Sequence, residues 1–188
     1  MRAMGRLLAA SLLLTEGILV LEGRAREALP LHLCGVSALV ALALAFGAGA
    51  WALDWLWYLG MPGALLALLF PAPAVSRYQA LMNVSYVTTH ALIIAIPAAR
   101  MKSGRRVRRG RGLWAWARLH LLALAAFAAN TLLGTDYLFL SAPPWGTPLS
   151  AAFAWGYGAY LLALEAIACA LLAASGRAAP RFAPKLFA

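Results

Sequence analysis

The sequence predicts an all-α fold: a polytopic membrane helix bundle with six transmembrane helices in a single domain covering residues 1–188. Two observations carry this. Hydrophobic residues make up 64% of the chain and charged residues only 12%, against about 25% charged in soluble domains. The apolar residues also fall into six blocks, each near the ~20 residues that a helix needs to cross ~30 Å of hydrocarbon. A globule of this size cannot hide so much apolar surface from water. A soluble enzyme, a disordered chain and a secreted disulfide scaffold are therefore excluded. Two cysteines, Cys34 and Cys169, are too few for a disulfide framework.

The blocks are residues 4–21, 30–48, 51–70, 79–99, 113–133 and 149–174. The first follows Arg2 and Arg6 and has the outline of a signal peptide. Glu16 interrupts it, however, and Glu22-Gly23-Arg24 follows in place of a small-residue cleavage site, so it reads as a retained span. In the second, Pro30 suits the first position of a helix. The third contains Gly60-Met61-Pro62-Gly63, which predicts a kink, or a break into two halves around a cavity. The fourth opens on a polar run, Asn83-Val84-Ser85-Tyr86-Val87-Thr88-Thr89-His90. The fifth and sixth are joined by a segment, 141–148, that is rich in proline and has no basic residue.

Basic residues favour the cytoplasmic side. The link between spans four and five holds Arg100, Lys102, Arg105, Arg106, Arg108, Arg109 and Arg111, with Arg118 just beyond it. Placing it inside also puts Arg2, Arg6, Arg177, Arg181 and Lys185 inside, and leaves only Arg24, Arg26 and Arg77 outside. Both termini are then cytoplasmic. The net charge of +10 is explained by this asymmetry. The basic link lacks interleaved aromatics and a docking fold, so it reads as a topology anchor near anionic lipid and not as a nucleic-acid site.

Polar side chains inside hydrocarbon are costly and mark structure or function. Here they are Glu16, His32, Cys34, His90, His120, Asn130 and Glu165. After Pro30, Cys34 falls in the second helical turn, near free backbone N–H groups and the positive dipole end, where an anionic sulfur can be held. Ser37 and Ala41, three and seven residues on, are small enough for another helix to approach. His32 points away from Cys34 on a helix, so it is not the base for Cys34. Asn83, Tyr86 and His90 share a stripe that suits a wet cavity. His90 is the best candidate base, since imidazole titrates near neutral pH. Cys169 and His120 lie toward the cytoplasmic side, away from Cys34. Cys169 is therefore expected not to pair with Cys34, and His120 reads as a capping or interfacial residue beside Arg118. Glu16 and Glu165 read as structural, protonated or bonded across helices. No metal-ligand set, phosphate-binding glycine loop or other cofactor motif is present, so no metal or cofactor is expected.

Three segments occur in order: Leu29-Pro30-Leu31-His32-Leu33-Cys34, then Thr89-His90-Ala91-Leu92-Ile93, then Asn130-Thr131-Leu132-Leu133-Gly134-Thr135-Asp136-Tyr137-Leu138-Phe139-Leu140, with Pro143 and Pro144. Together, over about residues 13–172, they resemble the YwaF family of bacterial membrane proteins. That family is related to animal transmembrane phospholipid acyltransferases, which remodel ether phospholipids through a cysteine and a histidine. The resemblance implies a location in the bacterial inner membrane, membrane phospholipids as partners, Cys34 as nucleophile and His90 as its partner. It also implies that Asn130 and Tyr137 help to build the site; His32, and Asn83 and Tyr86 from the polar stripe, are further candidate supporting residues. Two readings follow. One is an intramembrane acyltransferase working through an acyl-thioester. The other is a non-catalytic small transporter or binding protein with a polar cavity, in which Glu16, His90 and Glu165 relay protons.

Overall fold

The computed structural model describes residues 1–72, 74–144 and 147–179. No strand occurs among the described residues. The helices are α1 (Arg2–Leu21), α2 (Leu33–Ala45), α3 (Ala50–Trp55), α4 (Met61–Leu69), α5 (Gln79–Lys102), α6 (Gly112–Leu133), α7 (Leu149–Ala154) and α8 (Tyr157–Ala178). A π-helical turn, Leu56–Gly60, fuses α3 to α4. Five helical stretches are long and apolar enough to span a membrane, counting Ala50–Leu69 as one, and α2 is a shorter apolar helix.

Helix α5 is central. It packs against α1, α2, α4 and the π turn, while α6 and α8 pack on one another. The π turn also touches α6 and α8, so it links the two groups. The seam is built from small and branched side chains, with Leu8, Ala38, Ala41, Leu56, Ile93 and Ile96 fully buried. Leu121, Leu124, Leu132 and Leu162 stay exposed on the outside, as a lipid-facing surface requires.

Three segments differ from the sequence reading. Span two is a helix of only 13 residues, which starts at Leu33 and not at Pro30. His32 is its extended N-cap residue. Pro30 instead folds back over the first turn, where a Cβ on Gly35 would lie 3.1 Å from the Pro30 Cα. Span three is not split into halves. The wide π turn sits one turn before Pro62 and takes up the strain, since a proline cannot bond back to the preceding turn. Span six is broken at Gly156, whose φ of +109° is open to glycine but strained for other residues, giving the short α7 and then α8.

Side chains fasten the ends. At the end carrying the basic link, the Arg108 guanidinium and backbone N–H both bond the buried Asp54 carboxylate, at 2.6 and 2.9 Å. Tyr58 donates to the Arg108 carbonyl and Arg100 to the Leu44 carbonyl. At the opposite end, Ser76 and the Arg77 N–H donate to Glu22 at 2.8 and 2.7 Å. Arg181 and Lys185 lie outside the described residues.

Candidate functional site

Cys34 is the second residue of α2, so it occupies the first helical turn and not the second. The backbone N–H groups of Cys34 and Gly35 stand in this first turn, among the donors that a helix start leaves without intrahelical partners. The small face expected behind Cys34 is present. Ser37 and Ala41 are fully buried, and a Cβ on Gly60 would lie 3.3 Å from the Ser37 Cβ. One turn along α4, Gly63 is pressed against Leu33, with 3.0 Å left for a Cβ. Cys34 and Cys169 are both free thiols.

The polar run of α5 divides between two faces. Ser85 and Thr89 turn to α1, where the Ser11 hydroxyl bonds them at 2.9 and 2.8 Å and Thr15 bonds Ser85 at 2.5 Å. Tyr86 and His90 take the other face. The Tyr86 hydroxyl donates to the Ala67 carbonyl at 2.8 Å, and its ring stacks on His90 with centroids 4.2 Å apart. His90 Nδ1 lies 2.7 Å from the Tyr86 carbonyl. A carbonyl only accepts, so Nδ1 carries the proton and neutral His90 presents a lone pair at Nε2. Among the described residues Nε2 is buried and has no hydrogen-bond partner. Asn83 is exposed and bonds Gln79 at 2.9 Å; it does not join the His90 face.

Asn130, Tyr137 and His32 form a brace beneath the start of α2. Asn130 is buried at the end of α6. Its Oδ1 accepts from the Tyr137 N–H at 2.7 Å and from Thr135 at 3.0 Å, and its Nδ2 donates to the Tyr137 carbonyl at 3.0 Å. The Tyr137 hydroxyl donates to the Arg26 carbonyl and accepts from the Leu29 N–H. His32 Nδ1 accepts from the Leu138 N–H at 3.2 Å. Leu138 and Phe139 have φ of 58° and 54°, the left-handed region that non-glycine residues occupy at a cost. The Tyr160 hydroxyl holds the Phe139 carbonyl from α8. These residues fix the loop that delivers Cys34.

A second polar cluster has no clear sequence signal beyond its residue types. His120 is not a cap beside Arg118. Its Nε2 lies 3.1 Å from Glu165 Oε2 and its Nδ1 bonds the Trp116 carbonyl. Glu165 Oε1 accepts from Trp116 Nε1 at 2.7 Å and from the Cys169 thiol at 3.2 Å. Glu165 thus bonds across helices, whereas Glu16 Oε2 is buried without a partner among the described residues. His120 and Glu165 stand on the wall of a mainly apolar cavity of about 380 Å³ between α4, α6 and α8. Leu33 reaches this cavity; Cys34 and His90 are not among its lining residues. Among the described residues no group of three His, Cys, Asp or Glu is arranged to hold a metal. Asp54 was also not singled out, although an acidic residue within an apolar helix was a visible signal.

Long apolar helices, a lipid-type exterior and polar side chains turned inward define a polytopic integral membrane protein. The chain belongs to the TMEM164 family, which matches residues 1–175. No curated protein and no solved structure matches it.

Proposed function

We propose that this protein is an intramembrane phospholipid acyltransferase in which Cys34 is the nucleophile and His90 the base. The observation that carries the reading is His90 itself. It is buried, its Nδ1–H is tied to the Tyr86 carbonyl, and its Nε2 is left without a partner. An unsatisfied buried nitrogen is costly and points to a group that it serves in the working state. Cys34 stands in the first turn of α2, which packs on the α5 helix that carries His90. The YwaF likeness of the segments around Cys34, His90 and Asn130–Leu140 supports the same pair and implies a bacterial inner membrane, in which the basic asymmetry puts both termini in the cytoplasm.

In the first half-reaction His90 Nε2 takes the thiol proton, and the Cys34 sulfur attacks the ester carbonyl carbon of a phospholipid. The N–H groups at the start of α2 hold the developing oxyanion. The carbonyl–oxygen ester bond then breaks, the lysolipid oxygen receives the proton from His90, and the acyl group remains on Cys34 as a thioester. A second lysolipid hydroxyl, or water, gives its proton to His90 and attacks the thioester; the carbon–sulfur bond breaks and the departing Cys34 sulfur takes that proton back from His90. Asn130, Tyr137 and His32 position the loop and do not touch the reacting atoms. The transport reading needs a relay through Glu165, but that carboxylate is occupied by Trp116, Cys169 and His120. The test is acyl transfer between phospholipid and lysophospholipid by purified protein in bilayers. Cys34→Ala and His90→Ala should each remove it while the helical circular dichroism stays intact. Full activity in Cys34→Ala would sink the covalent route.

A further inference from the structure

We infer that the cavity between α4, α6 and α8 is a binding site for a single acyl chain of a membrane lipid, entered from the Leu33 end. At about 380 Å³ it lies within the range of ligand pockets, roughly 300–1,000 Å³, and side chains such as Leu33, Leu66, Ala123, Leu164 and Ala168 make its walls apolar. Among the described residues, the acidic and imidazole side chains on its wall are Glu165 and His120, and these are satisfied by one another, by Trp116 and by Cys169. A headgroup would find no open donor or acceptor on that pair, so the cavity suits a chain and not a polar head. Leu33, at the start of α2, lines the cavity, and Cys34 follows it in the chain. A lipid whose chain fills the cavity from Leu33 therefore has its ester end toward α2.

Binding itself does not depend on the acyltransferase reading; only the direction of the chain rests on it. The close fit of Gly63 against Leu33, with 3.0 Å left for a Cβ, keeps α2 and α4 together at the mouth. A chain leaving the bilayer gains no transfer energy, since lipid tails are as apolar as the walls, so retention depends on fit.

The experiment is photocrosslinking of the full chain in nanodiscs with a phosphatidylcholine that carries a diazirine midway along one acyl chain, followed by peptide mapping. Labelling is expected at Ala123, Leu164 or Ala168 in the unaltered protein and in Cys34→Ala. Ala123→Trp and Ala168→Trp fill the space and should each lose most of that labelling, as should the milder Ala168→Leu in part. Leu121→Trp, on the exposed face of α6, should lose none of it. Labelling confined to exposed residues such as Leu121 and Leu124, or undiminished cavity labelling in folded Ala123→Trp and Ala168→Trp, would overturn the inference. Loss of acyl transfer is read separately, so active Cys34→Ala protein with normal cavity labelling would refute the cysteine mechanism alone.

Discussion

Asn130 holds Tyr137 by both ends of its peptide backbone, accepting from its N–H at 2.7 Å and donating to its carbonyl at 3.0 Å. Tyr137 in turn reaches the Arg26–Leu29 loop. The end of α6 thereby sets the approach to α2 and to Cys34. Asn130→Ala strips the partners from two buried backbone groups and should cost ~1–3 kcal/mol. Asn130→Asp keeps the acceptor but loses the donor and should cost less. Thermal unfolding in detergent measures both. Acyl transfer in Asn130→Ala should fall while Cys34 alkylation in the folded protein persists.

His90→Ala should reduce acyl transfer by about 10²–10⁴-fold, the usual loss of a positioned base. It should also lower the unfolding temperature, because the buried ring stacked on Tyr86 and its hydrogen bond to the Tyr86 carbonyl are both lost. Tyr86→Phe keeps the ring stacked on His90 but frees the Ala67 carbonyl. Rate assays with both variants separate the two roles: a Tyr86→Phe loss as large as that of His90→Ala would make the phenol itself part of the chemistry.

The blocks of apolar residues made the long helices legible, because crossing a bilayer imposes a length that composition reveals directly. The start of α2 was not legible. Pro30 is compatible with a helix start, yet the 29–32 segment is held outside the helix by Tyr137 and His32 contacts more than a hundred residues away in sequence. The break at Gly156 was hidden inside an apolar run, although a glycine on each side of Tyr157 was visible. The run from Asn83 to His90 was recognisably too polar for lipid. Its division into a Ser85–Thr89 face against α1 and a Tyr86–His90 face depends on which helices are neighbours, which the period of one helix does not say. His120 and Glu165 were both noticed, but their pairing across two helices follows from no local pattern.

Acid should loosen the end of the bundle opposite the basic link. The Ser76 hydroxyl, then the Arg77 N–H, hold the Glu22 carboxyl below its ordinary value near 4.5. A depressed folded value means that the stabilisation is present above the ordinary value and is lost as pH falls through the lower, folded one. Unfolding temperature should therefore be level near neutral pH and decline below about pH 4.5. Glu22→Gln should start lower and show a shallower decline. Identical pH curves for the two proteins would contradict the link between Glu22 and the Ser76–Arg77 segment.

Reporter fusions at Gly104 and Ala142 should lie on opposite sides of the membrane, with Gly104 cytoplasmic. The basis is the concentration of arginine and lysine between α5 and α6 together with the positive-inside bias. Both reporters on one side would remove the span assignment of α6.

In the proposed mechanism an acyl group passes through the sulfur of Cys34. Its most direct measurement is mass spectrometry of the purified protein, quenched in acid after incubation with a phospholipid bearing an isotopically labelled acyl chain. A labelled acyl group is expected on the peptide containing Cys34. The label should be removed by neutral hydroxylamine, absent from Cys34→Ala and diminished in His90→Ala. Acyl transfer that proceeds at full rate in Cys34→Ala, or a label found on Cys169 and not on Cys34, would contradict it.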